Sequence, residues 1–207
     1  MATATVARVT ERASFLADLD RQLHHGTAPL AVALTDLDDF ADINETYGRD
    51  AGDAVLVAWD RVLRANIPRR SSVTRLGGDE FAVVLPGTSA ENAVVLLEEL
   101  RRHLAGMTLD GVADPVSASV GVAANPPHGT TADELFRAAG EALMRAKRDG
   151  RDRVALYVEE RMVLKSNYYS KANLERLAKL SSATDRTEAS LLREALDDLL
   201  DKHKGAL

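Results

Sequence analysis

The strongest constraint on the fold is the alternation of two apolar patterns along residues 12–157. Short continuous apolar runs, typical of buried strands, alternate with longer segments whose apolar residues recur at helical spacing. The run Leu30–Leu34 contains no polar residue, which predicts a strand covered on both faces. The order helix, strand, helix, helix, strand, strand, helix, strand, helix, strand predicts an α/β fold with mixed strand directions.

The predicted elements have the following bounds. In chain order they are the helix Arg12–His25, the strand Leu30–Leu34, a short helix around Phe40, Ile43 and Tyr47 that stops at Gly48, the helix Ala51–Asn66, the strands Ser72–Leu76 and Glu80–Leu85, the helix 89–105, the strand Val116–Ala123, the helix Thr131–Arg148 and the strand Val154–Tyr157.

Composition excludes several classes of protein. No apolar run reaches the roughly 18 residues that span a bilayer, and the N-terminus lacks the apolar core of a signal peptide. The absence of cysteine excludes disulfides, thiolate zinc sites and cysteine nucleophiles. Aromatic residues make up only 4% of the 207 residues, which argues against stacking of single-stranded nucleic acid. We therefore expect a cytoplasmic protein without a membrane partner.

Charge divides the chain into two predicted domains, 1–160 and 161–207. The first has 17 Lys and Arg against 25 Asp and Glu, a net charge of −8, whereas the second has 9 against 7, a net charge of +2. The second part is predicted to form a strand, Met162–Tyr169, and two helices, Lys171–Ser182 and Thr187–Lys202. So few elements cannot bury much core alone, which predicts that this tail folds with a partner chain.

Carboxylates cluster at the predicted strand ends of the larger domain. Asp36 follows a buried strand, and Asp79 and Glu80 lie at the tip of a hairpin. Carboxylates without thiol or histidine partners suit hard cations such as magnesium. Gly77 and Gly78 next to them allow a phosphate or sugar to approach the backbone closely. Each feature alone is common in solvated turns, but together they predict a metal-dependent phosphate site.

Several ordered motifs resemble one family over about residues 10–158. The segment Arg75–Phe81, with the sequence RLGGDEF, resembles the hallmark of the GGDEF family of diguanylate cyclases. The stretch Asp36–Asp53 is similar to the family's nucleotide-binding stretch in order and spacing. Ser117–Ala123 resembles its late strand, and Ala138–Val154 resembles its last helix and strand.

The resemblance implies a palm-type fold with a ferredoxin-like core and the condensation of two GTP into cyclic di-GMP. It implies two Mg²⁺ ions per site, with Mn²⁺ as the alternative, and makes Asp79 both a metal ligand and the general base. Lys147 and Arg151 would hold the triphosphate, and Asn44 and Asp53 would bind guanine. The implied catalytic residues are Asp79, Glu80, Lys147 and Arg151; the implied substrate-binding residues are Asn44, Asp53, Gly77 and Gly78; the implied metal ligands are Asp36, the Leu37 carbonyl and Asp79.

Two departures from the family pattern bear on activity. Ala41 stands where the family usually has Lys, so a phosphate-side cation is lost. This favours an alternative hypothesis in which the domain is weak or inactive, senses GTP or cyclic di-GMP, and regulates transcription through the tail. Pro68–Ser71 stands in place of the family's Arg-x-x-Asp inhibitory product site, so feedback inhibition by that route is not expected.

The tail resembles ribbon-helix-helix proteins over residues 165–203, on the segments Asn173–Leu180 and Asp185–Leu196. In that family, two chains pair their strands and insert the ribbon into the DNA major groove. The resemblance implies a homodimer that binds double-stranded DNA, coupled to the cyclase.

Two phases of the predicted strand remain open. In one, Lys165 and Asn167 face the bases, and in the other, Ser166 and Tyr168 face them. The start of the second helix, at Thr187 and Glu188, would bind phosphate. The alternative is that the tail only dimerises the protein.

Overall fold

The computed structural model describes residues 2–26, 28–159, 169–184 and 186–203. The chain divides into two compact units, Met1–Glu160 and Arg161–Leu207. None of the helices in these described ranges is long and apolar enough to cross a membrane.

The described residues of the larger unit form ten elements, in the predicted order. They are α1 (Ala2–His25), β1 (Leu30–Leu37), α2 (Phe40–Tyr47), α3 (Arg49–Asn66), β2 (Ser72–Gly77), β3 (Glu80–Pro86), α4 (Ala90–Ala105), β4 (Ala118–Asn125), α5 (Ala132–Arg148) and β5 (Val154–Leu156).

The five strands form one sheet in the order β2-β3-β1-β4-β5, with β1 at the centre. β1 pairs antiparallel with both β3 and β4, β2 pairs antiparallel with β3, and β4 pairs parallel with β5. The predicted α/β fold with mixed strand directions is confirmed. Every residue of β1 is buried, as expected for a central strand with helices on both faces.

Alternate residues of β1 contribute to two cores. Ala31 and Ala33 belong to a core with Trp59 of α3 and residues of α4. Leu30 and Val32 belong to the opposite core, which includes residues of α1 and α5. This division follows from the two-residue period of a strand, whose successive side chains point to opposite faces.

Tertiary pairing extends β1 beyond its apolar sequence. The predicted strand ends at Leu34, whereas the observed strand continues to Leu37, because Thr35 and Asp36 pair with both neighbouring strands and Leu37 pairs with β4. Asp36 lies opposite Glu80 on β3 and opposite Ser119 on β4. The acidic residue that the sequence places after the strand is therefore part of the sheet.

Helix boundaries also differ from the prediction. α1 begins at Ala2 rather than Arg12. α3 begins at Arg49 rather than Ala51, directly after Gly48, whose φ of 87° breaks the chain direction between α2 and α3. β4 begins at Ala118 rather than Val116. α5 begins with a capping box, since the Thr131 hydroxyl accepts from the Glu134 N–H and the Glu134 carboxylate accepts from the Thr131 N–H.

The smaller unit has two described helices, α6 (Lys171–Thr184) and α7 (Glu188–Lys202), close to their predicted bounds. Thr187 is the N-cap of α7, because its hydroxyl accepts a hydrogen bond from the Ser190 N–H at 3.2 Å. The predicted strand Met162–Tyr169 lies, apart from its last residue, outside the described residues.

α5 packs closely on the sheet at Gly121 of β4. A Cβ at this position would lie 2.1 Å from the Ala139 carbonyl oxygen and 2.1 Å from the Leu143 nitrogen. Both atoms belong to the backbone of α5 and cannot move aside independently. The close approach therefore requires glycine.

We predict that Gly121→Ala lowers the free energy of unfolding by about 3 kcal/mol, because α5 must move away from β4. Chemical denaturation measures this change. Gly106→Ala is the control, because its Cβ would lie 3.5 Å from the nearest atom, an ordinary contact. An equal loss in the two variants would contradict the prediction.

Candidate active site

The acidic end of β1 lies beside the hairpin that joins β2 and β3. Asp36 pairs across the strands with Glu80, and the Leu37 N–H donates to the Asp79 carbonyl at 3.4 Å. The strand register therefore brings three of the predicted site carboxylates to one end of the sheet. Asp36 is buried, Asp79 is half-buried and Glu80 is exposed.

The hairpin turn depends on two glycines with positive φ. Gly77 has φ 140° and Gly78 has φ 59°, values that favour glycine over residues with a side chain. The strand register shifts between Arg75 and Gly77, and the Arg75 Nε donates to the Gly78 carbonyl at 2.8 Å. The turn thus presents its backbone without side chains next to Asp79.

Asp36 is held in an environment that opposes its charge. Burial raises the pKa of its carboxyl above the ordinary range, and the neighbouring charges of Asp79 and Glu80 raise this pKa further. Lys147 acts in the other direction, because its Nζ lies 2.7 Å from Asp36 Oδ1. A cation at this point is therefore favourable, and in this structure the lysine ammonium supplies it.

The last turn of α5 and the following loop bring two predicted phosphate-binding residues to the same end of the sheet. Lys147 lies in the final turn of α5. Arg151 follows in a left-handed conformation with φ 60°, and its Nε lies 3.4 Å from Asp39 Oδ1. Both cations are thus directed toward the acidic end of β1.

The donor set fits Mg²⁺ bound partly by substrate. Within the described ranges, no group of three or more His, Cys, Asp or Glu side chains is arranged to hold a metal ion. Mg²⁺ commonly binds through one or two carboxylates, with water and substrate phosphates completing its shell. Asp36 and Asp79 supply such carboxylates, and Lys147 marks a place where positive charge is stabilised.

A second predicted group lies in an open pocket formed by α2 and α3. Asn44 and Asp53, the predicted guanine-binding residues, both line it, and so does Ala41. The Asn44 Nδ2 donates to the Phe40 carbonyl at 2.9 Å, which fixes the side-chain amide. The remaining lining residues are Phe40, Glu45, Arg49, Leu56 and Arg75.

Comparison with known proteins identifies the family. The model of the family described as diguanylate cyclase, GGDEF domain, matches residues 3–153. The chain belongs to the GGDEF family. The resemblance found in its motifs is thereby confirmed for this part of the chain, and the α/β GGDEF fold with a mixed five-stranded sheet follows.

Similar proteins include curated cyclases and solved GGDEF domains. Diguanylate cyclase DgcM of Escherichia coli is 39% identical over 145 residues, which cover 65% of this chain and 35% of DgcM. Diguanylate cyclase DgcP of Pseudomonas aeruginosa is 38% identical over 132 residues, or 63% of this chain and 20% of DgcP. The chain thus matches about a third or less of the length of these relatives.

Two solved structures are similar over most of the GGDEF domain. The GGDEF domain of YfiN, or TpbB, from Pseudomonas aeruginosa has 34% identity and a TM-score of 0.67, covering 72% of this chain and 96% of that one. The active GGEEF domain of a diguanylate cyclase from Vibrio cholerae has 30% identity and a TM-score of 0.64, covering 72% and 94%.

The structure describes two of the six tail residues that are predicted to contact DNA. Lys165, Ser166, Asn167 and Tyr168 lie outside the described residues. Thr187 and Glu188 are placed at the start of α7, where Thr187 caps the helix.

Sequence analysis missed two residues that shape the site of the GGDEF domain. Asp38 is buried and accepts three hydrogen bonds, although its position in an acidic run suggests a solvated side chain. Gly52 faces Asn44 so closely that a Cβ would lie 2.1 Å from Asn44 Oδ1. Gly52 lies within the predicted nucleotide-binding stretch Asp36–Asp53, but only the packing against Asn44 explains why this position is glycine.

We predict that Gly52→Ala displaces the Asn44 side chain and weakens binding of GTP about tenfold, with little loss of stability. The side-chain oxygen can move aside, so the fold tolerates the methyl group while the pocket loses a positioned amide. Equilibrium binding of a GTP analogue with a methylene bridge between its α- and β-phosphates measures this effect.

Gly140→Ala is the matched control, since it also introduces alanine within a helix and its Cβ would lie 3.8 Å from Leu34 Cδ1. This variant should bind the analogue like the wild type. The prediction is wrong if both variants bind alike.

Proposed function

We propose that the GGDEF domain is a diguanylate cyclase that condenses two GTP into cyclic di-GMP. The observation that carries this proposal is the convergence of Asp36, Asp79 and Lys147 at the end of β1, beside the glycine turn. Relatives support the proposal, because DgcM and DgcP are named diguanylate cyclases. A DgcB domain with 26% identity and a TM-score of 0.64, covering 72% of this chain and 90% of that chain, was solved in complex with cyclic di-GMP.

The proposed cofactor is Mg²⁺, held by Asp36, Asp79 and the Leu37 carbonyl, with Glu80 adding negative charge. When bound, the metal supplies charge neutralisation for the phosphates and for the developing alkoxide. The burial of Asp36 supports this assignment, because a buried carboxylate surrounded by other carboxylates favours a cation.

Each remaining residue has a role in the proposed reaction. Asp79 accepts the proton of the ribose 3′-hydroxyl, whose oxygen attacks the α-phosphorus of the second GTP as pyrophosphate leaves. Lys147 and Arg151 bind the phosphates and stabilise the charge that develops there. Asn44 and Asp53 bind guanine, since a carboxylate can accept from the adjacent N1–H and N2–H groups of guanine, whereas N1 of adenine carries no hydrogen.

The reaction needs two domains, each with one GTP, facing each other. We propose a homodimer in which the tails raise the effective concentration of the two domains. The exposed leucines of α6 and α7 support this, since Leu174, Leu180 and Leu196 are 43%, 49% and 55% exposed. Among the apolar residues of the tail that the structure describes, Leu191 is the buried one.

Ala41 favours a second candidate function, a domain that binds GTP or cyclic di-GMP without turnover. The lysine that the family usually has at this position is absent, although Arg49 and Arg75 line the same pocket. These arginines place positive charge near Ala41 and support the cyclase proposal. Only an assay of product separates the two candidates.

We predict that the full chain with GTP and Mg²⁺ forms cyclic di-GMP, detectable by chromatography, and that Asp79→Asn lowers the rate about 100-fold or more. Asp60→Asn is the matched control, because Asp60 forms an exposed ion pair with Arg64 within α3. Binding of GTP without product at any protein concentration would favour the sensing function instead.

We propose further that residues 161–207 form a ribbon-helix-helix module that binds double-stranded DNA as a dimer. The support is the sequence resemblance together with two helices and a Thr187 cap at the expected positions. The capped start of α7 leaves backbone N–H groups that suit a DNA phosphate.

We predict that the full chain binds a mixed-sequence DNA duplex and that its affinity falls steeply with salt, because phosphate contacts release counterions. Fluorescence anisotropy at several salt concentrations measures the slope. A dimer that shows no salt-sensitive binding would leave the tail with dimerisation alone.

A further inference from the structure

Asp38 is a buried carboxylate that the proposed chemistry does not use. It is 5% exposed and lies one residue past the end of β1. Its Oδ1 accepts from the Ser119 hydroxyl at 2.7 Å, and its Oδ2 accepts from the Ser117 hydroxyl at 2.9 Å. The same Oδ2 accepts from the Asp152 backbone N–H at 3.0 Å. A buried carboxylate with three donors is fixed in place.

The third of these donors belongs to the loop after α5, which has an unfavourable backbone conformation. Arg151 and Asp152 have φ of 60° and 47°, in the left-handed region that residues with a side chain seldom adopt. Two consecutive residues keep such a conformation only when surrounding contacts determine it. The hydrogen bond to Asp38 is one of these contacts.

A second contact holds the loop from the other side. The Asp152 carboxylate pairs with the guanidinium of Arg101 on α4, which is 9% exposed. Arg101 is itself fixed by Glu98, with nitrogen–oxygen distances of 2.7 and 3.0 Å. Asp152 is therefore held through its backbone by Asp38 and through its side chain by Arg101.

The loop held in this way carries Arg151, whose Nε lies 3.4 Å from Asp39 Oδ1 at the acidic end of β1. Arg151 is exposed, so the direction of its side chain follows that of its backbone. The Arg151 N–H donates to the Ala146 carbonyl at 3.0 Å, and the next residue, Asp152, is fixed by Asp38 and Arg101. Loss of the Asp38 contact would therefore let the guanidinium point elsewhere without removing it.

We propose that Asp38 is a positioning residue, which fixes the loop at Arg151 and Asp152 and thereby directs Arg151 toward the triphosphate of GTP. This inference rests on the proposed function, in which Arg151 binds phosphates. Asp38 itself touches neither metal nor substrate in this account.

The test compares two ligands that differ only in their phosphates. Asp38→Asn should weaken binding of the α,β-methylene analogue of GTP about tenfold, because a neutral amide replaces the charged acceptor of the Ser117, Ser119 and Asp152 donors and holds the loop less strongly. Binding of GMP, which lacks the β- and γ-phosphates, should change less than about twofold. Asp60→Asn should bind both ligands like the wild type.

A double-mutant cycle tests whether the effect passes through Arg151. Arg151→Ala should give the same selective loss, and the double variant should bind the analogue no more weakly than Arg151→Ala alone. If Asp38→Asn fails to fold, Ser117→Ala keeps the carboxylate and removes one donor. It should give a smaller loss, about threefold, with the same selectivity.

The outcomes separate this inference from the proposed function. A selective, non-additive loss supports the inference. Equal loss for both ligands, additive losses, or unchanged affinity of the analogue would overturn it and leave the proposed function standing. Failure of the wild type to bind the analogue would overturn both.

Discussion

The structure depends on the burial of an acidic strand end. β1 is covered by helices on both faces, and the chain stays buried from Asp36 within the strand to Asp38 just past its end. Burying a carboxylate is unfavourable unless charge or hydrogen bonds compensate. Asp36 is compensated by the ammonium of Lys147, and Asp38 by two serine hydroxyls and a backbone N–H. These contacts hold the end of α5, the loop after it and the start of β4 together at the end of β1.

The two carboxylates differ in how completely they are compensated. Asp38 has its donors within the protein, so it acts as part of the framework. Asp36 keeps a raised pKa, caused first by its burial, which means that the folded protein without ligand disfavours its charge. The contribution of Asp36 to the free energy of unfolding therefore falls as the pH rises from the ordinary aspartate range through the raised pKa. The loss persists at neutral pH. A bound cation would reverse this effect, which is the physical basis for a metal at Asp36.

Much of the site could be predicted from sequence, for reasons that are local. The apolar run of β1, the glycines at 77 and 78 and the cap at Thr131 each dictate their own structure. The extension of β1 to Leu37 could not be predicted, because it depends on pairing with strands that are distant in sequence.

The same holds for the residues that sequence analysis missed. The partners of Asp38 are 79, 81 and 114 residues away, and the reason for Gly52 is a side chain on another helix. In the sequence, an acidic run and a helical glycine have no feature that marks them as special. Their roles depend on neighbours that only the packing brings together. The ion pair of Arg101 with Asp152 is hidden in the same way, because 51 residues separate its partners.

Thermal unfolding shows whether a bound cation compensates the buried charge of Asp36. The wild type and Asp36→Asn are each unfolded in EDTA and with Mg²⁺ plus the α,β-methylene analogue of GTP. We predict that near neutral pH the variant unfolds at a higher temperature than the wild type in EDTA, because an unfavourable buried charge is gone. We also predict that metal and nucleotide stabilise the wild type much more than the variant. A variant that is less stable in EDTA and is stabilised equally by the ligands would contradict both predictions.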